Sequence, residues 1–142
     1  MRIRIVAVGK PRGFAAAGVS EYLGRMRDAE LLEVRQSSRP AEEAMQEEGK
    51  QLLELARGQF TIALTAEGKQ YSSEELASLL ASKDRVTFLV GSSHGLSSQV
   101  LASADMRLSL SRMTLPHELA LLVLAEQVYR SATIQKGHPY HK

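Results

Sequence analysis

The sequence predicts an α/β domain built on a mostly parallel sheet, and two patterns carry that reading. Five short β-like runs alternate with helix-like stretches along the whole chain. Two of the runs, FTIALTA and VTFLV, are nearly continuous in apolar residues, as inner strands covered on both faces must be. A length of 142 residues, 44% hydrophobic and 24% charged, suits one globular domain able to bury a real core.

Ile3–Val8 reads as the first strand. Its apolar run alternates and stops at Gly9, too short for a signal peptide or a membrane span. A helix follows over Phe14–Arg27, then a strand at Leu31–Arg35 and a helix over Ala41–Arg57. Between Pro40 and Glu54 the charges are Glu42, Glu43, Glu47, Glu48 and Glu54 against Lys50, the pattern of an acidic, solvated helix. The third strand is Phe60–Ala66. The next helix, Ser73–Ser82, starts where Ser72 or Ser73 precedes Glu74 and Glu75, a sound N-terminal signal. The fourth strand is Val86–Val90, a short helix lies near Ser97–Ala102, and the fifth strand is Met106–Leu110. A long helix closes the fold from Pro116 to Thr133.

That last helix is apolar on nearly all sides through Leu124, then gains a polar stripe of Glu126, Arg130 and Thr133. A helix apolar all round must be covered all round. A second subunit is the simplest cover beyond the sheet; a deeply buried helix within a monomer is the alternative. No repeat, low-complexity segment or linker interrupts the chain.

The absence of cysteine excludes disulfides and thiolate metal sites and suits a reducing compartment, so a cytoplasmic protein is expected. A net charge of +2 does not by itself imply nucleic acid. The distribution says more: Arg107, Arg112, Arg130, Lys136 and Lys142 face only Glu118 and Glu126 after Met106, and three of the four histidines lie there too. This marks a basic working end.

In parallel α/β sheets ligands collect at the carboxyl ends of the strands. The segments that follow strands three, four and five are AEGKQYSS, GSSHGLSS and SRMTLP. Gly68, the pair Gly91 and Gly95, and the small polar Ser109, Ser111 and Thr114 suit close backbone approach to a small molecule. GSSHG is neither a dinucleotide fingerprint nor a phosphate loop, and His94 within it reads as exposed rather than catalytic. The chain end KGHPYHK places His138 and His141 three apart, with His117 elsewhere. No cysteine and no carboxylate nearer than Glu126 joins them, so we expect no metal site. Arg130 suits gripping a phosphate or carboxylate, or equally an i,i+4 pair with Glu126. The residues alone lead to a loop-built pocket beside a basic aromatic tail, and no further.

The same segments carry a resemblance over essentially the whole chain. IRIVAVGK, EYLGRM, LTAEGKQYSSEELA, FLVGSSHGLS, LSLSRMTLPHELALLVLAEQVYRS and the ending HPYHK together resemble the RlmH family of SPOUT methyltransferases. The resemblance implies methylation of N3 of a pseudouridine in 23S ribosomal RNA, on the large subunit or assembled ribosome, with S-adenosylmethionine as cofactor. It implies one SPOUT domain over residues 1–142, a trefoil-knotted C-terminal half and a homodimer, with neither membrane nor DNA as partner. By position, Leu64, Gly91, Leu110, Ser111, Arg112, Met113, Thr114 and Leu115 would contact the cofactor. Arg130, His138, Tyr140 and His141 would serve the catalytic site from the RNA side. Two positions depart from the family pattern: Ser92 stands where a second glycine is usual, and His94 where an acid or amide is. A serine would crowd the loop if residue 92 needed positive φ. These departures motivate an alternative, a non-catalytic ribosome- or RNA-binding dimer of the same fold. A weaker alternative is a small-molecule-binding α/β module such as a nucleotide sensor.

Overall fold

A computed structural model describes residues 1–142. The elements run β1 (Arg2–Val8), α1 (Gly13–Gly24), β2 (Ala29–Val34), α2 (Ala41–Leu55), β3 (Phe60–Gln70), α3 (Ser73–Ala81), β4 (Arg85–Val90), α4 (Ser98–Ser103), β5 (Met106–Ser109) and α5 (His117–Gln135). The five strands form one sheet in the order β2-β1-β4-β3-β5, with every pairing parallel. The predicted fold class and all ten elements are therefore present.

Strand alternation sends residues to two cores. Ile3, Ile5, Phe88 and Val90 pack with Val19, Leu80, Leu121 and Val128 from α1, α3 and α5. Val6, Val8 and Leu89 pack on the opposite face with Leu52 and Val100 from α2 and α4. β1 and β4 are buried on both faces, which is why their sequences lack a polar side along their inner halves. α3 opens on a reciprocal capping box: Ser72 Oγ accepts from the Glu75 amide, and Glu75 accepts from the Ser72 amide.

Two features differ from the sequence reading. β3 does not end at Ala66. It leaves its register with β5 after Leu64, then rejoins the same strand at Lys69 and Gln70. Gly68 permits this, since a Cβ there would lie 2.7 Å from the Leu108 backbone. The long helix α5 is also covered more fully within one chain than its apolar circumference suggests. It packs between α1 and α3, with Leu121, Leu124, Ala125 and Val128 buried and Leu119, Leu122 and Val123 half-buried. No helix is long and apolar enough to cross a membrane.

Candidate active site

The loops after β3, β4 and β5 meet at the carboxyl ends of their strands and enclose a cleft of about 560 Å³. Leu64, Gly91, Leu110, Ser111, Met113, Thr114 and Leu115 all line it, together with His117 and Ala120 from the first turn of α5. Of the eight residues assigned to the cofactor, only Arg112 is absent from the cleft wall. It is exposed on the same loop as its neighbours. His117, missed as a lining residue, follows the TLP segment directly and its Nε2 lies 3.3 Å from the Gly9 carbonyl oxygen. This contact fixes the entry of α5 against the end of β1.

Each loop is shaped by local chemistry. Gly91 has no room for a side chain: a Cβ would sit 2.6 Å from the Gly95 backbone. Gly95 itself turns at φ +86° and its amide donates to the Ser92 carbonyl at 2.9 Å. Ser92 is buried and has no positive φ, and its Oγ accepts from the His94 amide at 3.2 Å. The crowding that Ser92 raised therefore does not arise. His94 lines the mouth and is exposed. In the third loop, Ser109 Oγ donates to the Ser111 carbonyl at 2.9 Å and Ser111 Oγ accepts from the Met113 amide at 3.0 Å. These bonds hold Met113 at the cleft, where it is 76% exposed, an unusual position for so large an apolar side chain.

The chemistry suits a compact ligand with an apolar flat part and polar edges. Leu64, Leu110, Met113 and Leu115 supply the apolar lining, and the glycine loop brings backbone amides and carbonyls close. The volume lies within the usual range for a cofactor-sized molecule.

The second group of expected site residues forms a separate network on α5. Arg130 Nη2 and Nε donate to Glu126 Oε2 at 2.7 and 3.1 Å, as its spacing had allowed. Tyr140 Oη donates to the same oxygen at 2.7 Å, and its ring lies under the Arg130 guanidinium at 4.9 Å. His141 bridges Arg130, at 2.9 Å from Nη1, and Glu74, at 2.6 Å. His138 is exposed, and its Nδ1 accepts from the Tyr140 amide at 3.1 Å. Tyr140 also meets the Tyr129 ring edge-on at 4.8 Å. Arg130, Tyr140 and His141 are thus in contact, with His138 at the margin.

Electrostatics hardens this arrangement. Partial burial opposes ionisation of Glu126, but hydrogen bonds from Arg130 and Tyr140 outweigh it and hold the carboxyl below its usual range. Burial and the bond to Glu126 push the Tyr140 phenol up. Tyr140 therefore keeps its proton near neutrality and acts as a donor, not a base.

None of the tail residues lines the cleft of its own chain. Arg130 lies ten residues beyond Ala120 on α5, about 15 Å along the helix axis.

Comparison with known proteins agrees with this architecture. A family model described as "Predicted SPOUT methyltransferase" matches residues 1–141. A ribosomal RNA large subunit methyltransferase H of Thermus thermophilus is 45% identical over 145 residues, covering 100% of this chain and 99% of the relative. The protein of the same name from Carboxydothermus hydrogenoformans is 40% identical over 159 residues, covering 100% of both. Among solved structures, a probable methylase family protein from Haemophilus influenzae superposes with a TM-score of 0.62 at 13% identity, over 95% of this chain and 66% of that one. TrmJ from Z. mobilis gives 0.59 at 14% identity, over 94% and 70%. The structures attest the fold, and the sequence relatives narrow it: the chain belongs to the SPOUT methyltransferases, in the RlmH family.

Proposed function

We propose that the protein is an S-adenosylmethionine-dependent methyltransferase that acts in the cytoplasm on N3 of a pseudouridine in 23S ribosomal RNA, within the large subunit or whole ribosome. The observation that carries this is the convergence of three separate loops on one cleft of about 560 Å³ with a glycine cradle and an apolar wall. Full-length relatives named for methylation of large-subunit ribosomal RNA support the substrate class.

In this reading Leu64, Leu110, Met113 and Leu115 flank the adenine. Backbone groups of Gly91, Ser111 and Thr114 meet its polar edge, with Arg112 outside the wall on the same loop. When bound, S-adenosylmethionine supplies an electrophilic methyl group on a sulfonium. The protein's own part is positional: the loops hold the ligand in one conformation, exclude water and set the line of approach of the base nitrogen. Arg130, His138, Tyr140 and His141 face the RNA, Tyr140 stacking on a base and Lys142 approaching phosphate. In this reading a tail histidine, His138 or His141 once released from its present partners, receives the N3 proton, whereas Tyr140 does not.

The chain acts as a homodimer, in which the tail of a second copy completes the cleft. The distance along α5 between Ala120 and the Arg130 network supports this arrangement, because a chain cannot bring its own tail to its own cleft without unwinding the contacts to Glu126. The trefoil-knotted path belongs to the same reading. It is supported by membership of the SPOUT methyltransferases.

The test is methyl incorporation into large subunits or ribosomes by the purified protein, with nucleoside mass spectrometry of 23S RNA from cells with and without it. Absence of cofactor binding by calorimetry overturns the proposal. Ribosome binding without incorporation identifies the non-catalytic alternative.

A further inference from the structure

At the opposite end of the sheet, the amino ends of β1, β2 and β4 border a second cleft, of about 240 Å³. The side chains on this face follow the parity of Arg2 and Arg4, the face that α2 and α4 cover farther along. α2 ends at Leu55 and leaves the strand beginnings bare. Where a covered strand would carry apolar residues, this end carries Arg2, Arg4 and Arg85, and Arg27 stands two residues before β2.

The charges are not mutually satisfied. Glu30 is taken by Arg4 at 2.7 Å, and Arg4 also reaches the Leu55 carbonyl at the carboxyl end of α2. Arg2, Arg27 and Arg85 enter no ion pair, although Asp28 shares the rim. Arg2 and Arg85 are register partners on adjacent strands and line the same cleft, so two cationic side chains leave one face of the sheet next to each other. Like charges directly opposite on a sheet are unfavourable by themselves. Local conflicts of this sort are expected where a site serves a ligand. The floor adds Thr87 and Gln59, which hydrogen-bond to each other.

We propose that Arg2, Arg27 and Arg85 form a phosphodiester-binding site for the RNA substrate, remote from the methyl-transfer cleft; this rests on the function proposed above. Three forked, permanently charged donors around a shallow opening match the oxygens of a nucleic-acid backbone. The six residues of β4 separate this site from Gly91, about 20 Å of extended chain. A substrate that touches both must be a large folded RNA, not a nucleoside. The site gives register and affinity and carries no sequence information.

The experiment compares wild type with R2Q/R27Q/R85Q and with R2K/R27K/R85K, measuring binding to purified large ribosomal subunits across a salt series, S-adenosylmethionine affinity and steady-state methylation. All three substituted residues are exposed, and thermal unfolding checks that the fold persists. The glutamine variant is expected to lose about tenfold or more in subunit affinity and to flatten the log–log salt dependence by roughly two to three. KM for subunits rises while kcat and cofactor affinity stay near wild type, and the lysine variant, which keeps the charges without the forks, falls between wild type and the glutamine variant. Equal salt slopes for wild type and glutamine variant place these arginines against solvent or protein and overturn the site. Wild type that binds subunits through these arginines without methylating them overturns the enzymatic reading and leaves the site standing. Wild type that binds no subunits overturns the site.

Discussion

Tyr140 donates its phenolic hydrogen to Glu126 Oε2 at 2.7 Å, across fourteen residues of chain that turn back at Gly137. The same oxygen receives Arg130, whose guanidinium covers the Tyr140 ring. A chain end that would otherwise fray is thereby fastened to α5 through one shared carboxylate, with His141 tied to Arg130 and Glu74 beside it.

Removing that carboxylate should release the tail. Glu126→Ala leaves Arg130 and Tyr140 without their acceptor and should cost about 1–2 kcal/mol of stability. Thermal unfolding measures the loss, and faster amide exchange after Gly137 locates it. Unchanged exchange there would show that the tail is held by other contacts.

The same bond dictates a pH response of known sign. Glu126 has its folded-state value depressed, so its contribution is present above the ordinary carboxylate range and is lost as pH falls through the lowered value. Tyr140 has its value raised, so its contribution is present below the ordinary phenol range and is lost only at still higher pH. Tail protection followed by amide exchange should hold across neutral pH and fail first on the acid side. Loss between these limits would contradict the assignment.

Truncation after Gly137 should abolish methyl transfer while cofactor affinity, measured by calorimetry, stays nearly intact. Normal turnover by the truncated protein would make the tail dispensable. Mixing truncated chains with Gly91→Ala chains should restore part of the activity if one copy's tail serves the other's cleft. Activity no greater than the sum of the two separate proteins would place tail and cleft within one chain.

Gly91→Ala should weaken S-adenosylmethionine binding by at least about tenfold and destabilise the fold by about 1–3 kcal/mol, because the new methyl meets the Gly95 backbone at 2.6 Å. Met113→Ala should weaken cofactor binding with little change in melting temperature, since Met113 is 76% exposed on the cleft wall. Calorimetry and thermal unfolding together separate the two outcomes.

Gly68→Ala should destabilise by about 1–3 kcal/mol, as the added carbon lies 2.7 Å from the backbone of Leu108 and would push β3 off β5. Gly24→Ala is the control: no atom lies within 4 Å, φ is not positive, and the helix end should gain rather than lose stability. Equal melting temperatures for the two variants would refute the close crossing.

Much of this architecture is legible in the residues. Alternating and continuous apolar runs such as VTFLV announce strands buried on one or both faces, and Ser72 with Glu75 announces the start of α3. The three loops that line the cleft follow from the rule that parallel sheets bind at their carboxyl ends. Arg130 with Glu126 follows from helical spacing. His117 escaped notice as a lining residue because the approach of Gly9 to it spans 108 residues. The return of β3 to β5 past Gly68 was equally hidden, since one glycine inside a polar run reads as a loop.

The sequence by itself determined the element types, their order and the loops that carry small residues, because hydrophobic period and capping are local properties of the chain. Only the tertiary structure decided the rest. Strand order β2-β1-β4-β3-β5 brings the loops after β3, β4 and β5 together and sets Arg2 beside Arg85. Those encounters depend on which strands become neighbours, a choice made by packing many distant residues at once and recorded in no single window of sequence.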